Sequence, residues 1–319
     1  MDDFWTYNTK VVLAGAVLLG VAGGVVGVFA VLRKRALVAD VVGHAALPGV
    51  AAAFILLGLL GRAGRNEPAL MLGAAVAGVA GAACVSLLAR FTRVRDDAAM
   101  AIVLGVFFGL GAALFRVVQQ VPGGGAAGLN SLLFGKTALL VAADVYSFAA
   151  LAAVVLALCV LLRRDLALLC FDESFAASLG RPVLLLDLVL SGLIVGVAVV
   201  GMQSVGLILV VATLVIPASA ARFWTDRLGP TLLLAGTFGG AAAGAGVLIS
   251  ASGPKLAAGP LIVLCGAGLF ALSLLLGAKR GLVPAAARRR AVRRSVDGRP
   301  VPSGPPGAAS GLPGAGGGN

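Results

Sequence analysis

Asp40 and His44, the only histidine of the chain, stand inside an otherwise apolar stretch, ALVADVVGHAALPGV (36–50). Because the two residues are four positions apart, a helix would place their side chains one above the other on the same face. A carboxylate and an imidazole one turn apart are suitable ligands for a divalent transition metal. The pair therefore predicts a segment that lines a route for a metal ion. The plainer alternative is a buried hydrogen-bonded pair that only orders neighbouring helices.

The segment that carries this pair, residues 36–61, is long enough to cross a bilayer core of about 30 Å, which needs ~20 helical residues. A charged side chain at the bilayer centre costs roughly 2.5–3.5 kcal/mol, so it is tolerated mainly where it faces protein or a hydrated path. At ~1.5 Å per residue, the carboxylate would lie roughly 7 Å and the imidazole roughly 13 Å beyond the basic residues at 33–35. Three nearby residues, Gly43, Pro48 and Gly49, would weaken or kink the helix and permit close backbone approach.

The composition of the whole chain explains how such a segment is positioned. The 319 residues are 60% hydrophobic and only 12% charged, with a mean hydropathy of +1.06. Apolar residues form long blocks, which need no burial when they lie in lipid. We therefore expect an all-α, polytopic transmembrane helical bundle. Four cysteines without CxxC spacing favour apolar packing over a disulfide framework or a zinc site.

The hydropathy pattern predicts about eight to nine spans, since short runs can merge or become re-entrant. The nine candidates are residues 11–32, 36–61, 69–89, 98–115, 138–162, 183–201, 205–221, 230–250 and 259–278. Most of the 25 Lys and Arg residues fall in alternate connections and after residue 279, which predicts an outside N-terminus and a cytoplasmic C-terminus. The same distribution argues against a nucleic-acid site, despite the net charge of +12.

Two domains follow from this pattern. Residues 1–281 form the transmembrane domain, and residues 282–319 are predicted to be a basic, then Pro/Gly-rich, disordered cytoplasmic tail. Asp144 and Asp187 fall near predicted membrane edges, so solvation at the interface is expected rather than ion binding. Pro217 is expected to kink the seventh span.

Several motifs occur in a characteristic order over roughly residues 11–280. They are GVVGVFAVLRKRALVADVVGHAALPGVAAAF, RVRDDAAMAIVLGVFFGLGAALF, SLLFGK, FDESFAASLGRPVLLLDLVL and VGLILVVATLVIPASAAR. In these motifs the chain resembles the permease subunits of ATP-driven manganese, zinc and iron importers, the metal family of binding-protein-dependent ABC transporters. The resemblance implies that residues 1–281 are an ABC importer permease domain in a bacterial inner membrane.

The resemblance also implies partners. Such a permease works with a second permease subunit, a cytoplasmic ABC ATPase dimer and an extracytoplasmic metal-binding protein. The chain itself lacks a GxxxxGK[ST] phosphate loop, so it is not expected to hydrolyse ATP or to be an enzyme. No cofactor is expected beyond the transported ion. Whether the second permease is another copy or a related chain stays open.

Roles for individual residues follow from the same resemblance. Asp40 and His44 match positions that line the metal path, with Gly43, Pro48, Gly49 and Pro217 as structural residues near it. The residues implied in docking the ATPase are Phe171, Asp172, Glu173, Phe175, Leu179 and Gly180. A plainer interpretation of the two acidic residues in this set is a solvated first turn of a helix.

The pair is too small to complete a metal site by itself. Zinc prefers four ligands and manganese about six, so two side chains do not complete a site. Two copies facing each other would supply four groups, and water the rest. Two other functions remain open: a permease for siderophore or cobalamin cargo, and a stand-alone secondary metal transporter. The sequence does not distinguish manganese, zinc and iron.

Overall fold

The computed structural model describes residues 7–33, 37–60, 67–120, 142–205, 207–253 and 256–284, and their regular secondary structure is entirely helical. Eleven helices lie in these ranges: α1 (Tyr7–Leu32), α2 (Val38–Leu59), α3 (Glu67–Phe91), α4 (Asp96–Gln120), α5 (Ala142–Leu161), α6 (Arg163–Phe171), α7 (Glu173–Ser178), α8 (Val183–Val205), α9 (Leu207–Ala221), α10 (Leu228–Ala251) and α11 (Ala258–Leu276). The predicted all-α bundle is confirmed. The predicted tail, residues 282–319, lies outside the described residues from position 285 onward.

Eight of the described helices are long and apolar enough to cross a membrane. The remaining candidate, the seventh in chain order (205–221), corresponds to α9. This helix has 15 residues and is shorter than the ~20 that a full crossing requires. The two short helices α6 and α7 fill the connection between α5 and α8. The expected range of eight to nine spans therefore corresponds to eight long helices and one short apolar helix.

Small residues set the packing of α1, the most extensively buried helix. Gly20 of α1 lies directly against the backbone of Gly239 in α10, and Gly24 lies against Ala235 of the same helix. A Cβ atom at either α1 position would collide with a carbonyl of α10, so only glycine permits this approach. Because the α1 numbers rise as the α10 numbers fall, the two helices are antiparallel.

A second group of helices holds the metal-ligand candidates. In this group α2 packs against both α3 and α4. The closest contact is between Gly49 of α2 and Gly73 of α3, where neither backbone leaves room for a Cβ atom. Helix α8 contacts α1, α2 and α3 and so joins this group to the rest of the bundle.

The helix directions place one set of connections at a common end of the bundle. We call this end, at which α1 terminates in Arg33, the Arg33 face. The contacts in α1–α10, α2–α3 and α10–α11 are antiparallel, so α3 and α11 end, and α10 begins, at this face. There the backbone carbonyl of Phe223, after α9, accepts hydrogen bonds from the N–H groups of Lys279 and Arg280. The described parts of the alternate basic connections thus share one end, in agreement with the sequence pattern.

Candidate metal pair and docking segment

Helix α2 brings Asp40 and His44 together as the spacing predicts. The Nε2 atom of His44 lies 3.4 Å from the Oδ1 atom of Asp40. The imidazole also meets the ring of Phe108 in α4 edge-on, with the ring centroids 5.2 Å apart. Because α2 begins at Val38, Asp40 belongs to its first turn, and His44 lies about 9 Å along the helix axis from that start. Both groups are therefore in the half of α2 that is nearer the Arg33 face.

The pair is neither sealed in the core nor fully exposed. The side chain of Asp40 is 36% exposed and that of His44 is 23% exposed in the single chain. The Nδ1 atom of His44 is buried and has no hydrogen-bond partner within the described part of the chain. In those same residues no group of three or more His, Cys, Asp or Glu side chains is placed to hold a metal. Within the described part of one chain, the pair is thus partly open and has no third candidate ligand beside it.

Pro48 and Gly49 lie about one turn after His44 and do not interrupt α2, which is helical from Val38 to Leu59. Proline has no N–H, so the carbonyl of His44, four residues earlier, lacks its usual helical donor. Gly49 provides the close contact with α3, and Gly43 is buried on the same helix.

Pro217 lies elsewhere in the bundle. It is within α9 and lines a small apolar cavity together with residues of α10 and α11, such as Ala242 and Ile262. Neither Asp40 nor His44 lines this cavity. The structure therefore does not bring Pro217 into the metal pair.

The segment expected to dock an ATPase forms a short helix that is capped at both ends. Asp172 is the N-cap of α7, and its carboxylate accepts hydrogen bonds from the hydroxyl of Ser174 (2.6 Å) and the N–H of Phe175 (2.9 Å). These two bonds, the hydroxyl bond first, lower the pKa of Asp172 below its ordinary value. Asp172 therefore has a structural role as the N-cap of α7, and its part in docking stays a prediction.

The C-terminal end of α7 has a Schellman arrangement. The N–H of Gly180 donates to the carbonyl of Ala177 (3.0 Å), and the N–H of Arg181 donates to that of Ala176 (3.1 Å). Gly180 has φ of +72°, a left-handed conformation in which glycine is unstrained. The two caps fix both ends of α7. Three apolar side chains in and beside this helix are exposed: Phe171 at the end of α6, Phe175 in α7 and Leu179 at its C-cap.

Glu173 of α7 takes part in a contact that the sequence did not reveal. Its carboxylate accepts a hydrogen bond of 3.0 Å from Arg33, whose guanidinium also lies 3.0 Å from the carboxylate of Asp187. Asp187 is buried and also accepts a hydrogen bond of 3.1 Å from the hydroxyl of Ser86. The expectation that Asp187 is solvated at a membrane edge is therefore wrong. In the sequence, the basic run at 33–35 indicates only orientation, and no feature of the run distinguishes Arg33 from its two neighbours.

Comparison with known proteins agrees with this architecture. The chain is 43% identical over 287 residues to the manganese transport system membrane protein MntC of Bacillus subtilis, covering 90% of this chain and 65% of that protein. The chain thus spans slightly less than two thirds of that relative. It is 40% identical over 292 residues to the zinc transport system membrane protein TroC of Treponema pallidum, covering 92% of this chain and 96% of that protein.

A solved structure is similar over most of its length. PsaBC from Streptococcus pneumoniae, determined in complex with a Fab, superposes with a TM-score of 0.73 at 31% identity and covers 86% of this chain and 94% of that chain. The profile of the ABC 3 transport family matches residues 6–277, which include every long helix described above. The chain belongs to the ABC 3 transport family.

Proposed function

We propose that the chain is the membrane-spanning permease subunit of an ATP-driven importer that moves divalent transition-metal ions into the cytoplasm. The observation that carries this proposal is the contact between Asp40 and His44, 3.4 Å apart on an open side of α2 in a chain of this family. The carboxylate and imidazole would bind the passing ion directly. Loose binding suits this role, because a transported ion must leave as readily as it enters.

A second permease subunit completes the ligand set in this proposal. The pair is partly exposed in the single chain, and the described residues offer no third side-chain ligand. A second copy, or a related permease, facing this side of α2 would bring the number of side-chain ligands to four. Water would supply the further oxygen ligands for manganese, which prefers about six.

The docking segment supports an ATPase partner. Helix α7 is capped at both ends, and its neighbouring apolar side chains, Phe171, Phe175 and Leu179, are exposed on the Arg33 face. Apolar anchors on a rigid element are well suited to fill pockets of a partner protein. ATP hydrolysis would then take place on a separate cytoplasmic ABC ATPase dimer. The Arg33 face would lie in the cytoplasm of a bacterial cell, with the N-terminus outside.

An extracytoplasmic metal-binding protein would deliver the ion to the opposite face. The named relatives transport manganese in Bacillus subtilis and zinc in Treponema pallidum, which favours these ions over siderophore or cobalamin cargo. A stand-alone secondary transporter would have no use for the docking segment. Co-purification of an ATPase with the tagged chain separates that class from an importer.

Metal uptake by the reconstituted complex tests the proposed site. We expect Asp40→Ala and His44→Ala each to lower uptake by ~10-fold or more, because removing a direct ligand should cost at least as much as removing its supporting group. Radioactive manganese, zinc and iron should be compared, with membrane levels measured by immunoblot. The matched control is Asp97→Asn, which neutralises an exposed carboxylate in the first turn of α4. Normal uptake by both alanine variants would remove the ligand role.

A further inference from the structure

Arg33 joins the docking segment to the membrane helices through a buried guanidinium group. Its side chain is only 7% exposed although it stands at the end of α1. The Nη2 atom donates to Glu173 at the start of α7, and the Nη1 atom lies 3.0 Å from Asp187 in α8. One planar side chain with a fixed fork of donors therefore contacts two carboxylates on two different elements.

Asp187 extends this cluster to a third membrane helix. Its side chain is 12% exposed, and its second carboxylate oxygen accepts the hydrogen bond from Ser86 in α3. The segment before α7 is also held to α1, since the thiol of Cys170 donates to the carbonyl of Phe29 at 3.8 Å. The cluster of Arg33, Asp187, Ser86 and Glu173 thus connects α1, α3 and α8 with α7.

The two ion pairs of Arg33 differ in burial: Asp187 is 12% exposed and Glu173 is 57% exposed. This difference determines which of the two contacts can break when α7 moves. A buried arginine that loses its carboxylate leaves an uncompensated charge, so the Arg33–Asp187 contact is costly to break. Glu173 is 57% exposed, and an exposed ion pair contributes little to stability. The contact with α7 can therefore break and re-form while the anchor on α3 and α8 stays in place.

Helix α3, which carries Ser86, packs directly against α2, the helix of Asp40 and His44. Gly81 of α3, five residues before Ser86, packs so closely on Ala45 of α2 that an added Cβ would lie 2.6 Å from the Ala45 Cβ. Ala45 is the neighbour of His44. At Gly78, one turn earlier in α3, side chains of α2 and α8 (Val42 and Val195) meet the same surface. Because α3 is in close contact with α2 at Gly78 and Gly81, a displacement of α3 by Arg33 would also displace α2.

We propose that Arg33 is a positioning residue that couples the docking segment to the metal pair: Asp187 and Ser86 hold its guanidinium, and Glu173 passes the movement of α7 to it. This inference rests on the proposed function, because it requires an ATPase on α7. Arg33 touches neither the ion nor the ATPase in this scheme. The coupling is measured as a difference in metal uptake per ATP between variants.

The decisive measurement is metal uptake per ATP hydrolysed by the full complex of permease, ATPase and binding protein in proteoliposomes. Arg33→Lys keeps the charge but replaces the planar fork with a single ammonium, which cannot contact both carboxylates in the same way. We expect the ATPase to co-purify as with the unchanged protein, while uptake per ATP falls ~5-fold or more. Ser86→Ala removes one anchoring hydrogen bond with little risk to folding, and a smaller fall in the same ratio is expected.

Arg280→Lys is the control, because Arg280 forms an exposed ion pair of 3.1 Å with Asp226 on the same face, outside both the cluster and the docking segment. Its uptake per ATP should be unchanged. If Arg33 and Glu173 act through one contact, uptake per ATP in the Arg33→Lys/Glu173→Gln double variant should be no lower than in the weaker of the two single variants.

Three outcomes would overturn the inference. Unchanged uptake per ATP in both Arg33→Lys and Ser86→Ala removes the positioning role while the proposed function stands. An equal loss in Arg280→Lys shows that replacing any ion-paired arginine on this face lowers the ratio, and removes the specific role of Arg33. Failure of the ATPase to co-purify with the unchanged chain refutes the proposed function itself, and the inference with it.

Discussion

Among individual residues, the partners of each charged group distinguish functional from structural roles better than its position in the chain does. Asp40 and His44 contact each other on an open side of α2, and the described structure offers no third metal-binding side chain. Asp187 instead lies between an arginine and a serine hydroxyl within the bundle. Both aspartates lie close to the start of an apolar helix. Their different surroundings arise from packing between helices.

Asp172 gives a prediction about pH at this scale. Hydrogen bonds from Ser174 and Phe175 lower the pKa of its carboxyl in the folded chain, so the charged form stabilises the start of α7. This stabilisation is fully present above the pKa of the unfolded chain and is lost as the pH falls through the lower folded pKa. We expect the carboxyl carbon of Asp172 to titrate below an unstructured Asp in NMR spectra of labelled protein. A midpoint at or above the ordinary value would contradict the cap.

Among helices, close contact through glycine distinguishes the pairs that determine the fold. The α1–α10 and α2–α3 pairs meet through backbone atoms at Gly20, Gly24 and Gly49. Helices in lipid gain no hydrophobic driving force from association, so van der Waals packing between small residues contributes much of their stability. By contrast, α7 depends on its two caps, since six residues are too few for a stable isolated helix.

A pair of alanine substitutions tests the role of glycine packing. Gly24→Ala would force a Cβ atom into the carbonyl of Ala235, and overpacking of this kind costs ~1–3 kcal/mol. Gly192→Ala in α8 meets no atom within 4 Å, so the better helix propensity of alanine should leave stability unchanged or raise it by up to ~1 kcal/mol. Unfolding in detergent, followed by circular dichroism, measures both. Equal stability of the two variants would show that α1 and α10 do not meet as described.

For the whole molecule, the two ends of the bundle differ in charge. The Arg33 face carries most of the described basic residues, among them Arg90, Arg95, Arg164 and Arg227, whereas Lys10 and Arg116 lie towards the other end. Such an imbalance is typical of a cytoplasmic surface. The docking helix α7 lies at the same end, as an ATPase partner in the cytoplasm would require.

Cysteine labelling in intact cells tests this orientation. In a chain whose native cysteines are replaced, Asp97→Cys and Gln120→Cys place one thiol at each end of the same helix, α4, and both positions are exposed. We expect a membrane-impermeant maleimide to label position 120 from outside and position 97 only after the cells are opened. The reverse pattern would place the Arg33 face outside and would be incompatible with ATPase docking on α7.

Local patterns in the sequence are enough to predict the class, the approximate helices and the contact between Asp40 and His44. Long apolar blocks require spanning helices, and an i,i+4 spacing in α2 requires Asp40 and His44 to share a face. The motif around Phe171–Gly180 likewise predicted a short helix, and the two caps of α7 are formed by residues within that motif.

Which distant residues meet depends on how the helices pack in the folded chain. The distances from Arg33 to Glu173 and Asp187 along the chain exceed one hundred residues, and apolar helices of similar composition offer no signal for which will be neighbours. The place of Pro217 beside α10 and α11, away from the metal pair, has the same origin. Helix formation depends on nearby residues, whereas the choice among helix partners depends on the fit of whole surfaces, which a linear pattern of apolar residues does not encode.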